Sequence, residues 1–600
     1  MAKIAFAPAV LLVLCFVINA VSEGLATEVK TQNGPIQGIL KDARGGAKYV
    51  AFLGLRYANP AVRFQPAEPL AERWTNVKLA DTLGNICPQA KVGDEDCLFL
   101  NVYVPEKHMK SESELSKLPV MVWIHGGAFI FGDGGGYGPE YFMESEDVIL
   151  VTLNYRLGVF GFLSTGDEAT TPNIGLRDQV LALRWIKKNI AAFKGDPTSV
   201  TIFGESAGSA SVHYLLMTPT AKGLFHRAIM QSGAMCFWSY ASNSRSRQAA
   251  LKFAKESLLC DNVKEDATQI DQSLQIRECL EKADMTKLSL SQMTFWPHWP
   301  ASNPISRFLP TVDIGSTESG QNHTTDSFFA SHPQFSQTGR QNVYPNKVPV
   351  IIGLNANEGA TAFAALMYEK EETLQQLNQE WNHVAPKTFM YDGHFPDKDL
   401  PEISQKIKKF YVGSDPITLE NKQTLADLYS DTWFLLPILA VADEMAKNGI
   451  AVYPYLLSYW GGWTLRQVLA QTQPYKEIFE GEPGHADDIQ YLLPNDFLGP
   501  PLKPGSEQEE FSKAFVKLWT SFAKQGKPTV KWVNGKTLEW KPIQPQNENT
   551  SIYNVLKIDK EPSIIKLDVS ARINFWKTLM QDFIHENGDA ETESVAKIEL

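Results

Sequence analysis

The segment VTIFGESAGSA, residues 200–210, constrains this chain more than any other stretch. A β-branched and aromatic tetrapeptide that reads as a buried strand runs straight into Gly204-Glu205-Ser206-Ala207-Gly208, and SASVHYLLM beyond it reads as a helix. Glycines two places either side of Ser206 permit a tight strand-to-helix turn that would crowd any Cβ. Such a turn lifts the serine hydroxyl above the sheet and aims the start of the helix at any oxyanion forming there. An isolated match of this kind is more often a Gly/Ser-rich turn with a satisfied hydroxyl. A serine hydroxyl attacks well only when a base takes its proton and donors receive the charge. The rest of the chain must therefore supply both.

The donors have a candidate loop. After the strand VMVWI (120–124) comes His125-Gly126-Gly127-Ala128-Phe129, whose small residues leave backbone N–H groups free to face an oxyanion. Donors from this loop, with the N–H of Ala207, are expected to surround the tetrahedral intermediate. The acid and base are expected downstream, in the order serine, acid, histidine. Glu358 stands just past the buried-looking strand in VPVIIGLNANEGATAF, and four histidines follow: His383, His394, His485 and His585. His585 falls in a polar tail, and His383 and His394 in polar, exposed-looking chain. His485, within GEPGHADDIQYLL, is the chosen base.

Strand-like runs at 120–124, 148–155, 200–203, 348–354 and 451–457 alternate in part with helical patterns. From Gly175 to Phe193, Val180, Leu183, Ile186 and Ile190 recur at helical spacing. Residues 360–450 read as mainly helical. Alternation of this kind predicts an α/β fold with a large, mostly parallel central sheet flanked by helices and carrying helical insertions. The length alone allows up to about four domains. With no linker and no repeat, one domain over residues 23–582 is expected.

The ends read differently. MAKIAFAPAVLLVLCFVINAVSEG has the basic start, apolar core and small-residue site of a signal peptide covering residues 1–22. Residues 583–600 read as an acidic, flexible tail ending Lys597-Ile-Glu-Leu600, similar to a KDEL-type retrieval signal with isoleucine in place of aspartate. The chain is thus expected in the secretory pathway, secreted or held in the endoplasmic reticulum lumen, without a membrane anchor. Acceptor sequons at Asn322 and Asn549 agree with a lumenal glycoprotein. A formal charge of −12 argues against nucleic acid or an anionic membrane as partner.

Six cysteines occur, of which Cys15 lies in the signal. Sequence alone leaves the pairing of the other five open. Closeness in the chain makes Cys87–Cys97 and Cys260–Cys279 the economical arrangement, leaving Cys236 free. No CxxC pair suggests a structural zinc, so no metal site is expected.

Taken together, EDCLFLNVYVP, HGGAF, NYRLG, GESAG, QSG, GLNANEG and GEPGHADDIQYL resemble the type-B carboxylesterase/cholinesterase family of the α/β-hydrolase fold, and within it most of all insect carboxylesterases. The resemblance runs from about residue 27 to 580. It implies a serine esterase of small-molecule carboxylic esters that needs no cofactor: Ser206 the nucleophile, Glu358 the orienting acid, His485 the base, and Gly127, Ala128 and Ala207 the oxyanion donors. Alanine at 128, where many members have a third glycine, keeps the N–H but narrows the space beside it. The resemblance further implies the disulfides Cys87–Cys97 and Cys260–Cys279, and structural ion pairs Arg63–Glu95 and Arg156–Asp178. It sets Trp238 near the acyl pocket, with Cys236 an inert thiol beside it. Cholinesterases carry a tryptophan for the choline ammonium in a long loop inside the first disulfide. Here Pro88–Asp96 is short and lacks an aromatic, so choline esters are not the expected substrates. Juvenile hormone esterases, also similar, typically have glutamine where Glu205 stands. A narrow hormone or odorant esterase, and a non-catalytic adhesion or binding protein on the same fold, are the alternative readings.

Overall fold

Strands buried on both faces lose the polar–apolar alternation of surface sheets and become nearly continuous apolar runs. The VMVWI run is one of these, and it lies near the middle of an 11-stranded sheet in the computed structural model. The structure describes residues 27–110, 117–236, 238–257, 259–260, 263–294, 307–313, 328–329, 342–392, 395–465, 467, 478–532, 535, 537–546 and 551–585. The expected signal peptide, residues 1–22, with Asn322, Asn549, His394 and the KIEL terminus, lies outside the described residues.

In chain order the sheet strands are β1 (Ile39–Asp42), β2 (Lys48–Arg56), β3 (Phe99–Pro105), β4 (Leu118–Ile124), β5 (Ile149–Leu153), β6 (Gly195–Glu205), β7 (Arg227–Gln231), β8 (Val350–Asn355), β9 (Val452–Leu457), β10 (Ile552–Ile558) and β11 (Ser563–Asp568). Their spatial order is β11-β10-β9-β8-β7-β6-β4-β5-β3-β2-β1. From β5 through β4 to β10 every neighbouring pair is parallel. The flanks are antiparallel: β1 with β2, β2 with β3, β3 with β5, and β10 with β11. This is the α/β-hydrolase arrangement expected, with antiparallel margins that the sequence pattern left unread.

Alternation along β4 divides the interior into two cores. Val120, Val122 and Ile124 face one, with helices α1 (Ile174–Asn189) and α2 (Ala207–Met217). Met121 and Trp123 face the other, with Phe515, Trp519 and Phe522 of helix α5 (Glu507–Gln525). Between β8 and β9 the chain is largely helical, including α3 (Gln423–Ser430) and α4 (Leu436–Lys447). With the turn Asp431–Leu435 between them these form the 25-residue segment Gln423–Lys447, apolar and long enough to cross a bilayer but with its most apolar 18-residue stretch 89% buried within the protein. Helix α6 (Ser570–His585) carries regular backbone into the first three residues of the stretch expected to be tail. His383, one of the rejected histidines, is exposed on the helix Trp381–Thr388.

Both disulfides form as expected, Cys87–Cys97 and Cys260–Cys279, and Cys236 is free and buried. Arg156 lies fully inside, with Nε and Nη2 donating to the two carboxylate oxygens of Asp178 at 2.8 and 2.7 Å. The Arg63–Glu95 pair is only partly buried. Arg63 Nε donates to Glu95 at 2.9 Å, while Nη1 reaches the carbonyls of Leu280 and Ala283 and so caps the end of the helix Gln269–Lys282.

Candidate active site

Because β4, β6, β7 and β8 run parallel, the loops at their carboxyl ends meet on one edge of the sheet, the usual place for a site in such folds. Strand β6 ends at Glu205 and α2 begins at Ala207, so Ser206 alone makes the turn, at φ 57° and ψ −122°. Non-glycine residues adopt this backbone only when the surroundings enforce it. The enforcement is steric: a Cβ on Gly204 would come 2.5 Å from Ile124 O, and one on Gly208 2.0 Å from the same oxygen. The glycines flanking the serine let β4 and the first turn of α2 touch.

Ser206 Oγ lies 2.9 Å from His485 Nε2, and His485 Nδ1 lies 2.7 Å from Glu358 Oε2. Three side chains from distant parts of the chain thus form one continuous hydrogen-bonded row, with Glu358 fully buried and the other two nearly so. The carboxylate is held on its far oxygen as well. Glu358 Oε1 accepts from Ser232 Oγ at 2.5 Å and from the Asn355 N–H at 2.7 Å. The histidine loop is fixed in turn: Asn355 Nδ2 donates to Gly484 O, and the Gly484 N–H to Asp487 Oδ2, both at 2.7 Å.

The loop after β4 rests on the serine. A Cβ on Gly126 would lie 3.2 Å from Ser206 Cβ, and the following residues turn sharply, with positive φ at Gly127, Ala128 and Phe129. Ala207 is the first residue of α2, where N–H groups have no intrahelical acceptor. Ala207 thus follows Ser206 directly in the chain, and Gly126 packs on the serine with Gly127 and Ala128 in the turn that follows.

Charge in the site is concentrated and buried. Burial pushes the Glu205 carboxyl well above its usual range, and the nearby Asp488, Glu358 and Asp487 push the same way, against the pull of His485. Burial resists charging His485, but Glu205, Glu358 and Asp488 outweigh it and raise the imidazole above its ordinary value. Glu205 Oε1 is 3.3 Å from His485 Nε2, on the serine side of the ring. Asp488, raised to about 6 by burial, is held by Gln231 Nε2 at 2.6 Å.

Aromatic rings wall the site. Phe434 stands 4.6 Å and Phe363 5.7 Å from the His485 ring, centroid to centroid. Both come from π-helical turns, Asp431–Leu435 and Ala360–Ala364. Trp238 joins this wall, 6.1 Å from Phe434, with Nε1 donating to Trp433 O at 2.9 Å. Cys236 lies beside it, its thiol pushed up to about 12 by burial and so protonated. Phe434 escaped the sequence reading, while Gln231 and Ser232 were seen only within QSG, and Asn355 and Phe363 only within VPVIIGLNANEGATAF, all without a role. For Ser232 that short motif was the available signal. The phenylalanines gave none, because π-turns leave no periodicity to detect.

The sequence profile of the carboxylesterase family matches residues 25–576. Esterase E4 of Myzus persicae is 35% identical over 86% of this chain and 88% of its own length. A carboxylic ester hydrolase of Bombus ignitus is 34% identical over 95% and 97%. Among solved structures, juvenile hormone esterase from Manduca sexta with OTFP covalently attached superposes with a TM-score of 0.73 and 25% identity, covering 92% of this chain and 99% of that one.

Proposed function

This chain belongs to the carboxylesterase family and is a carboxylic-ester hydrolase, and on that premise we propose that Ser206, His485 and Glu358 hydrolyse small-molecule carboxylic esters through an acyl-enzyme. The observation that carries the mechanism is the unbroken row Ser206–His485–Glu358, with spacings of 2.9 and 2.7 Å. His485 Nε2 takes the Ser206 proton as Oγ adds to the ester carbonyl, and Glu358 holds the imidazole tautomer and stabilises its charged form. The tetrahedral oxyanion sits among the N–H groups of Gly127, Ala128 and Ala207. Collapse expels the alcohol, which leaves with the proton from His485. Water, deprotonated by the same imidazole, then adds to the acyl carbonyl, and collapse returns the proton to Ser206 as the acid departs.

Trp238, Phe434 and Phe363 would border the acyl group, which favours apolar acyl chains. Two disulfides fit an oxidising compartment, and we place the protein in the secretory pathway. Ser206→Ala tests the mechanism. Hydrolysis of 4-nitrophenyl and naphthyl esters should fall by about 10⁶, as loss of such a nucleophile does elsewhere. Turnover within tenfold of the unsubstituted enzyme would reject it. A juvenile hormone esterase is the second reading, favoured by the 32% identity to the juvenile hormone esterase of Tribolium castaneum. Comparing kcat/KM on a juvenile hormone and on generic esters decides between the two.

A further inference from the structure

The oxyanion loop does not stand alone; it doubles back and is gripped from outside. Gly127 O accepts from the N–H groups of Ile130 and Phe131 at 3.0 and 2.9 Å, which returns the chain beneath its own start. The next residue, Gly132, has φ +107° and is pressed so close that a Cβ there would lie 2.3 Å from His125 Nδ1 and 2.9 Å from Gly126 O. Gly132 is therefore in contact with the two residues that lead into Gly127 and Ala128. The His125 ring has little room to yield. It stacks on Tyr155 at 4.5 Å, and its backbone carbonyl accepts from the Tyr155 hydroxyl at 2.9 Å.

Gly132 is in turn held by one side chain from the loop closed by Cys87–Cys97. Gln89 Nε2 donates to Gly132 O and Gln89 Oε1 accepts from the Gly132 N–H, both at 2.9 Å. The amide is buried and itself anchored: Nε2 also reaches Cys87 O at 3.2 Å, and the Gln89 backbone pairs both ways with Val92 at 3.0 Å. A second clamp lies at the other cysteine. Asn154 Oδ1 accepts from the Gly134 N–H at 2.7 Å, while its Nδ2 donates to Cys97 O at 3.1 Å.

We propose that Gln89 is a positioning residue of the oxyanion hole: its paired hydrogen bonds to Gly132 tie the loop bearing Gly127 and Ala128 to the Cys87–Cys97 loop. The inference rests on the mechanism proposed above. It follows from how steeply such donors depend on place, since they act only at about 2.7–3.1 Å from the developing oxyanion. A misplacement of about 1 Å costs on the order of 10² in rate. Gln89 touches neither Ser206 nor His485, so its loss should spare the nucleophile and the base while loosening the donors. The signature is a transition-state defect without a binding defect.

Gln89→Met, similar in length but without the amide, gives the test. Three readings are compared with the unsubstituted enzyme: kcat and KM on 4-nitrophenyl butyrate, the Ki of a trifluoromethyl ketone whose hemiketal oxyanion occupies the same donors, and stoichiometric titration of Ser206 by an organophosphate. The expected result is a 5- to 50-fold fall in kcat with KM within threefold. Ki should rise by the factor that kcat falls, with full titration of Ser206. Unchanged kcat, a fall in kcat with unchanged Ki, or a lowered melting temperature alone would each overturn the proposal. Should Gln89→Met not fold, Gln89→Asn decides, since the same amide on a shorter stem no longer reaches both the N–H and the carbonyl of Gly132. The same parallel change is expected there, smaller in size, and its absence would overturn the proposal equally. Failure of the mechanism itself is separate: it would appear as full activity in Ser206→Ala, whatever Gln89 does.

Discussion

Ser232 donates its hydroxyl to Glu358 Oε1 at 2.5 Å, on the carboxylate oxygen that faces away from His485. Together with the Asn355 N–H this leaves Oε2 as the oxygen that meets the imidazole. Hydrogen bonds to a charged group contribute about 1.5–3 kcal/mol. Ser232→Ala should therefore lower kcat/KM by roughly tenfold through a less firmly held Glu358. Steady-state kinetics on one 4-nitrophenyl ester check this, and a change under twofold would remove Ser232 from the supporting set.

The raised His485 imidazole predicts the pH profile. General-base action needs the neutral ring, which appears only as pH climbs past a pKa lifted above its ordinary value by Glu205, Glu358 and Asp488. The acid limb of kcat/KM should accordingly lie above the 6.5 of a free imidazole. Glu205→Gln removes one negative neighbour 3.3 Å from Nε2, so the limb should move to lower pH. A limb that stays in place would show that Glu205 carries no charge over the range measured.

Arg156 and Asp178 make a buried ion pair whose loss should be costly from one side only. Arg156→Met leaves the fully buried Asp178 carboxylate without its partner and frees the carbonyl of Gln65, now bonded at 2.7 Å. Such half-broken pairs cost about 3–5 kcal/mol, whereas replacing both partners by apolar residues costs far less. Denaturant unfolding of Arg156→Met beside Arg156→Met/Asp178→Leu should show the double variant as the more stable.

The Cys260–Cys279 bridge joins the chain four residues past the helix Asn243–Glu256 to the helix Gln269–Lys282, across a separation of 19 residues. In the chain-entropy account a loop of this size contributes about 3 kcal/mol. Replacing both cysteines by serine should lower stability by about that much and leave kcat within twofold, because neither helix borders Ser206. A comparable loss of kcat would mean that this lobe shapes the site.

Much of the site was legible because its chemistry imposes local order. The turn at Ser206 demands glycines, the acid follows a buried strand, and the histidine lies in a short Gly-Pro loop, so their neighbours made Ser206, Glu358 and His485 candidates, and the family resemblance gave them roles. The buried parallel strands β4, β6 and β8 announced themselves as apolar runs. Other parts left no local trace. At the margins β11 alternates in burial, but its sequence SIIKLD does not alternate in polarity, and Lys48–Arg56 shows no period-2 pattern because most of it is buried. Gln89 and Gly132 are 43 residues apart, and an isolated glutamine in a short loop looks like any surface amide. Helix α5 meets Trp123 only through the second core, which no sequence window spans.

The two π-turns give the rings around His485 an unusual dependence on chain length. Each turn holds one more residue than an α-helical turn would, and Phe434 and Phe363 lie within those widened turns. In an α-helix one residue corresponds to about 100° of rotation. Shortening Asp431–Leu435 by a single residue would therefore swing Phe434 off the imidazole and carry the Trp433 carbonyl away from Trp238, without altering any side chain's identity. Contour of the aromatic wall beside His485 is thus inherited through insertion and deletion as much as through substitution, and homologues with the same aromatic letters but a different count between Glu358 and His485 need not share its shape.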